Sequence, residues 1–202
     1  MPSSFVRSLA LGVAALALAA PLAAQRPAIA AAMQDTVPWP ADWPRDPRLD
    51  RLKTEAAARI DAKAKMVQEI IDMVYSFGEL GMQEVETSKY LTALLEKNGF
   101  TVTRGVAGIP TAWVATWGSG KPVISLGSDI DGIPQSNQKP AVGYRDQLVM
   151  GAPGHGEGHN SGQAVNIAAA LVVKELMIRE KIPGTLQLWP GVAEEQMAGK
   201  AH

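Results

Sequence analysis

The sequence predicts an α/β domain, a sheet flanked by helices, and three observations carry that expectation. Apolar residues recur every three or four positions through several charged stretches, which is the period of a half-buried helix. Short apolar runs bounded by Gly, Pro and Asn alternate with those stretches and read as strands. The chain is 47% hydrophobic, enough for a packed core over about 100–200 residues, the usual size of one domain.

Taken in order, Leu49, Leu52, Ala56, Ile60, Ala64, Val67, Ile70, Ile71 and Val74 predict one long amphipathic helix. Asp46-Pro47 supplies its start and Phe77-Gly78 its end. A second helix is expected from about Glu84 to Lys97, burying Val85, Leu91, Leu94 and Leu95 and stopped by Asn98-Gly99. Phe100–Thr103, Ala112–Trp117 and Val123–Leu126 read as strands. Ala164 to Met177 is a buried helix with Lys174, Arg179 and Lys181 toward its C-terminus, where the helix dipole favours cations. Pro183-Gly184 then turns the chain into a strand, Thr185–Trp189, and Glu194 opens a further helix. Helices interleaved with strands define the α/β class.

The N-terminus reads as an address. Arg7, an Ala/Leu/Val run from Leu9 to Ala20, Pro21 and then small residues form the three-part layout of a secretory signal peptide. The signal is expected to span residues 1–24, with cleavage as late as Ala32, and a membrane anchor is the competing reading. The apolar run is shorter than the ~20 residues that span a bilayer, which favours export to a periplasm and no membrane contact after cleavage. Residues 33–47, with Trp39, Trp43 and repeated prolines, are expected to be a linker, and 48–202 the domain proper.

Charge and cysteine content restrict the chemistry. Nineteen Lys and Arg against 20 Asp and Glu exclude a strongly basic nucleic-acid binder. With no Cys, disulfides, thiolate metal sites and a Cys nucleophile are all ruled out. The most informative stretch is Gly151-Ala152-Pro153-Gly154-His155-Gly156-Glu157-Gly158-His159-Asn160. Alternate side chains of an extended loop share a face, so His155, Glu157 and His159 can point together and offer a cation imidazole and carboxylate. A glycine loop with incidental polar residues fits the same pattern. After the strand Thr185–Trp189 comes Glu194-Glu195, where one acid can bind a metal while the other handles a proton, or both simply favour a helix N-terminus. Ser128-Asp129-Ile130-Asp131 follows another strand and is either an outer partner of a metal-bound histidine or a polar turn. A deaminase signature at His155-Gly156-Glu157 fails for want of cysteines, and Gly118-Ser119-Gly120-Lys121 fails as a phosphate loop because Pro122 follows.

Several of these segments together resemble one family. Phe77-Gly78-Glu79-Leu80-Gly81, Gly99-Phe100-Thr101-Val102 and Gly105-Val106-Ala107-Gly108-Ile109-Pro110-Thr111 look like the opening of the M20 amidohydrolases. The Asp129–Pro134 segment, the Gly-His-Gly-x-Gly-His-Asn loop and Ala193-Glu194-Glu195 follow in the family's order, so the likeness covers about residues 66–202. Within the family it is most similar to the aminobenzoyl-glutamate utilization protein B and aminoacylase-type branch. The resemblance implies the N-terminal portion of a zinc-peptidase-like catalytic domain, with a mixed sheet flanked by helices. It implies Glu157, His159 and Glu195 as metal ligands and Glu194 as the general base toward the attacking water. Asp129, Asp131 and His155 stand behind them.

Glu157 occupies the place where this branch usually carries Cys, a harder ligand suited to Mn²⁺ or Zn²⁺. The family holds two divalent ions, uses N-acyl or aminobenzoyl amino acids or small peptides, and forms homodimers. Its members are longer, so the chain is expected to be truncated, lacking the lid and dimerisation domain and two histidine ligands, and to hold at most one ion firmly. The reading is therefore an exported metal-dependent amidohydrolase cleaving the amide between an acyl or aroyl group and an amino acid. The alternative is an inactive fragment that binds one metal weakly or pairs with another chain.

Overall fold

A computed structural model describes residues 46–197 and 199. The expected signal peptide, and the linker up to residue 45, lie outside the described residues, as does His202.

The helix expected to run from Pro47 to Phe77 is two helices, α1 (Pro47–Asp61) and α2 (Ala64–Phe77). Asp46 caps α1 by accepting from the backbone N–H groups of Arg48 and Leu49 at 2.8 and 3.3 Å, and Pro47 fills the first position, where a missing N–H costs nothing. The break lies at Ala62-Lys63. Lys63 sits at φ −94°, ψ 5°, outside helical geometry, and its N–H bonds Ile60 O, so the ladder restarts from Lys63 O. Periodicity could not show this, because the apolar spacing continues in step across the break. The consequence is a division of labour: α1 buries no residue, whereas α2 buries Ile70 and Val74. Gly78 closes α2 at φ +52°, the left-handed cap that glycine adopts without strain.

Helix α3 (Val85–Lys97) buries Leu91 and Leu95 fully, but Val85 is exposed, contrary to expectation. Val85 opens the first turn, and Glu79 reaches across that turn to accept from Glu86 N and Thr87 N at 2.9 Å each. Thr87, Ser88 and Thr92 take the inward positions instead.

Strands β1 (Thr101–Arg104), β2 (Trp113–Ser119), β3 (Val123–Asp129) and β4 (Gly184–Gly191) form one mixed sheet in the order β1-β2-β4-β3. β1 and β2 are antiparallel, β2 and β4 antiparallel, and β3 and β4 parallel. The parallel pair needs a crossover, and α4 (His159–Glu180) provides it. α4 packs against β3 and β4 on one side and against α1 and α2 on the other, so it is apolar around most of its circumference. Leu186 and Leu188 of β4, Trp113 and Ala115 of β2, Ile167 and Leu171 of α4, Ile70, Val74, Leu91 and Leu95 share one core.

Because β3 and β4 are parallel, their carboxyl ends emerge at the same edge, with Asp129 paired to Gly191. Pro190 lacks an N–H for the ladder. The buried Gln163 amide takes up the slack there, donating to Ser128 O at 2.8 Å and Trp189 O at 2.9 Å. A short helix, α5 (Glu194–Met197), follows β4.

Candidate metal centre

The carboxyl edge of β3 and β4 gathers five carboxylates around one imidazole. His159 is the first residue of α4, and Gly158 before it, at φ +122°, swings the chain so that the ring points back over the sheet edge. Its Nδ1 lies 2.9 Å from the Asp131 carbonyl oxygen. This contact orients the ring and turns Nε2 toward the acids. That Nε2 faces Glu157 at 2.5 Å, Asp129 at 3.8 Å and Glu194 at 3.9 Å, while Glu195 stands 3.9 Å from Nδ1. Two groups of three therefore have ligand atoms within 4.8 Å of one another: Asp129, His159 and Glu194, and Glu157, His159 and Glu195.

Each acid is placed by a different device. Asp129 ends β3, and its carboxylate occupies the space above Gly191, where an added Cβ would lie 1.7 Å from Oδ1. Any larger residue at 191 would expel it. Asp131 is buried, and its Oδ2 accepts from Glu195 N at 2.9 Å while its carbonyl fixes the His159 ring. Glu194 and Glu195 open α5 after Ala193, which takes φ +52°. Glu157 is the most exposed of the set, at 60%.

The electrostatics favour a cation. Burial pushes the Glu195 carboxyl above its usual range; His159 pulls it back, and the charges of Asp131, Glu194 and Glu157 push it up further. Negative charge crowded around a single imidazole is what a divalent ion relieves, and carboxylate with imidazole nitrogen is a donor set for Zn²⁺ or Mn²⁺. The residues present fit such an ion.

Of the seven residues singled out in the sequence, six meet here. His155 turns away: its Nε2 lies 3.1 Å from Val74 O at the end of α2, its ring tilts against Tyr75, and it joins neither group of three. Burial holds its pKa below the ordinary histidine value, partly offset by the Val74 bond. The alternation rule did not apply, because His159 belongs to a helix and not to an extended loop. Asp129, expected behind the ligands, shares a candidate group with His159 and Glu194, whereas Asp131 belongs to neither group and contacts His159 and Glu195 through its carbonyl and carboxylate. Sequence reasoning misses Glu84, although it is buried and its Oε1 accepts from Ala193 N at 2.9 Å. Its signal was present: an acid one residue before a helix, in a segment already matched to the family.

A mixed α/β sheet with an imidazole and carboxylates at the carboxyl edge of its parallel strands is the layout of a divalent-cation-binding α/β domain. No protein-family model matches the chain. Over 141 residues it is 33% identical to a p-aminobenzoyl-glutamate hydrolase subunit of Escherichia coli (strain K12), covering 70% of this chain and 29% of that one. It is 32% identical over 122 residues to IAA-amino acid hydrolase ILR1-like 5 of Arabidopsis thaliana, covering 60% of this chain and 26% of that one. Among solved structures it resembles the Bacillus subtilis YxeP protein, a dinuclear metal-binding peptidase of the M20 family, with TM-score 0.56 and 26% identity over 67% of this chain and 36% of that one. Aminobenzoyl-glutamate utilization protein from Klebsiella pneumoniae shares the fold, with TM-score 0.52 and 13% identity over 73% of this chain and 41% of that one. The chain belongs to the M20 family of peptidases and amidohydrolases, and it spans less than a third of the length of the curated relatives it matches.

Proposed function

We propose that this chain carries the metal-binding and proton-transfer half of an exported amidohydrolase that cleaves the amide between an acyl or aroyl group and an amino acid. The observation that carries the reading is the grouping of Glu157, His159 and Glu195 within ligand distance of one another, with the ring oriented by Asp131 O and the Glu194 carboxylate beside it at 3.9 Å. Similarity to a p-aminobenzoyl-glutamate hydrolase supports the substrate class. Arg7 and the apolar run Leu9–Ala20 support export to a periplasm.

Glu157, His159 and Glu195 would hold one divalent ion, and Asp129 stands where it can help hold a second. Such ions polarise an amide carbonyl and make water a better nucleophile at neutral pH. The remaining work belongs to the chain. Glu194 is partly open to solvent, beside the ligands and not enclosed by them, so its carboxylate can accept a proton from the attacking water. It then returns that proton to the departing amine nitrogen, which leaves as a neutral amino acid while the acyl carbon keeps the hydroxyl. Asp131 holds Glu195 and His159 in place and takes no proton in this scheme.

The test is hydrolysis of N-(4-aminobenzoyl)-L-glutamate by the purified chain supplied with Zn²⁺ or Mn²⁺. Activity should vanish on chelation. Glu194→Gln should reduce turnover by about 10² or more, the scale of a lost general base, while leaving metal uptake intact. Failure of the unaltered chain to take up any divalent ion, or full activity in E194Q, would overturn the reading.

A further inference from the structure

The segment from Gly78 to Glu84 carries two acids that the proposed chemistry does not use. Glu79 commits both carboxylate oxygens to the first turn of α3, and its carbonyl accepts from Gly132 N at 2.7 Å. Glu84 has a different task. It is fully buried, its Oε2 accepts from Thr111 Oγ1 at 2.8 Å, and its Oε1 accepts from Ala193 N at 2.9 Å. A buried carboxylate is expensive to keep and persists only where its acceptors are needed.

The need lies at Ala193. This residue takes φ +52°, an unusual conformation for a side chain with a Cβ, immediately before the proposed base and ligand. Gly81 packs directly beneath it: a Cβ there would lie 2.5 Å from Ala193 Cα. Two residues on, Glu195 N is held by Asp131 Oδ2 at 2.9 Å. The turn bearing Glu194 and Glu195 is thus pinned at two amides by two buried carboxylates, one from the β3 side and one from the start of α3.

We propose that Glu84 is a positioning residue: through the Ala193 N–H it holds the strained turn that aims Glu194 and Glu195 at His159. The proposal rests on the hydrolytic reading of that site for its functional meaning, but not for its geometry. A merely structural buried acid would serve its two partners alike. Positioning predicts that the Ala193 bond matters to the site and the Thr111 bond does not.

The experiment compares the full 202-residue chain with Glu84→Leu, Glu84→Gln and Thr111→Val. Amide hydrogen exchange is read by NMR at Ala193, Glu195, Leu186 and Leu188, followed by titration with Co²⁺ alone. In the unaltered chain the Ala193 and Glu195 amides should be protected. E84L should accelerate both about tenfold or more relative to Leu186 and Leu188, the scale of a lost charge-assisted hydrogen bond, and weaken Co²⁺ uptake in parallel. E84Q keeps a carbonyl oxygen for Ala193 and should restore both readouts. T111V should leave both unchanged. Equal protection in E84L and the unaltered chain, or acceleration spread evenly through β4, overturns the proposal. If E84L does not fold, the unaltered chain decides, because an Ala193 amide exchanging at the rate of an exposed one overturns it equally. Absence of Co²⁺ uptake by the unaltered chain counts against the hydrolytic reading alone, and the exchange rates then still decide Glu84.

Discussion

Replacing Gly81 by alanine adds a single methyl group at the point where the start of α3 meets the site. That methyl would lie 2.5 Å from Ala193 Cα, 2.7 Å from Ala193 Cβ and 2.9 Å from Gln196 Oε1. Non-bonded carbons rest about 3.5–4.0 Å apart, so the neighbours must retreat by roughly 1 Å. The obstacle is backbone, and backbone that cannot yield freely, since Ala193 already sits at φ +52° with its N–H bonded to Glu84. Overpacking of this kind costs about 1–3 kcal/mol. Against it stands a gain of about 0.4–1 kcal/mol from restricting the unfolded chain, available because Gly81 does not use a left-handed φ. The two ranges leave a net destabilisation centred on about 1.3 kcal/mol and reaching about 2.6 kcal/mol. Gly143 is the matched control: it is exposed, lacks a left-handed φ, and has nothing within 4 Å of an added Cβ. There the same change should be neutral or stabilising by up to about 1 kcal/mol. Urea unfolding followed by circular dichroism gives both values from the midpoints, provided the slopes agree. If G81A proves as stable as G143A, the reasoning about the Ala193 contact is wrong.

Other perturbations separate the site from its surroundings. His159→Ala should abolish divalent-ion uptake in calorimetric titration, whereas His155→Gln should bind within a few-fold of the unaltered chain, because His155 belongs to neither triad; equal losses in the two would contradict the assignment. On the surface, hydrogen bonds from Arg179 and Arg59 pull the Glu55 carboxyl from 4.5 down to about 2. A folded-state pKa lowered in this way contributes stability above the ordinary carboxyl value and loses it as pH falls toward the depressed one. The difference in melting temperature between the unaltered chain and Glu55→Gln should therefore be largest above pH 4.5 and shrink steadily toward pH 2. It should also diminish in high salt, because these groups lie at the surface. A difference that does not change with pH would remove Glu55 from the linkage.

Much of the fold is legible locally. Asp46-Pro47 and Gly78 mark helix ends by chemistry that acts within one turn, and all four strands were announced by apolar runs between glycines and prolines. The order of the site segments along the chain, and the acid and imidazole donors themselves, were equally readable. The break at Ala62-Lys63 was not, because the apolar period carries through it while packing on α4 decides where each helix lies. Nor was the exposure of Val85, which depends on Glu79 arriving from outside the helix.

By itself the sequence determined which chemistry this protein can offer: carboxylates and imidazole without thiols, on an α/β scaffold, with a glycine-rich approach to the key histidine. Which of those groups meet was decided only by the tertiary structure. Parallel pairing of β3 with β4 brings Asp129 level with Gly191, and the crossover through α4 returns His159 to the same edge. His155, only four residues from His159, is captured by Val74 O instead. Asp131 reaches across 64 positions to hold Glu195, and Glu84 across 109 to hold Ala193. Periodicity and caps report the forces a residue feels from its near neighbours in the chain. Ring direction, the division between ligand and support, and the pinning of a strained turn depend on atoms that only the folded core brings within hydrogen-bond distance.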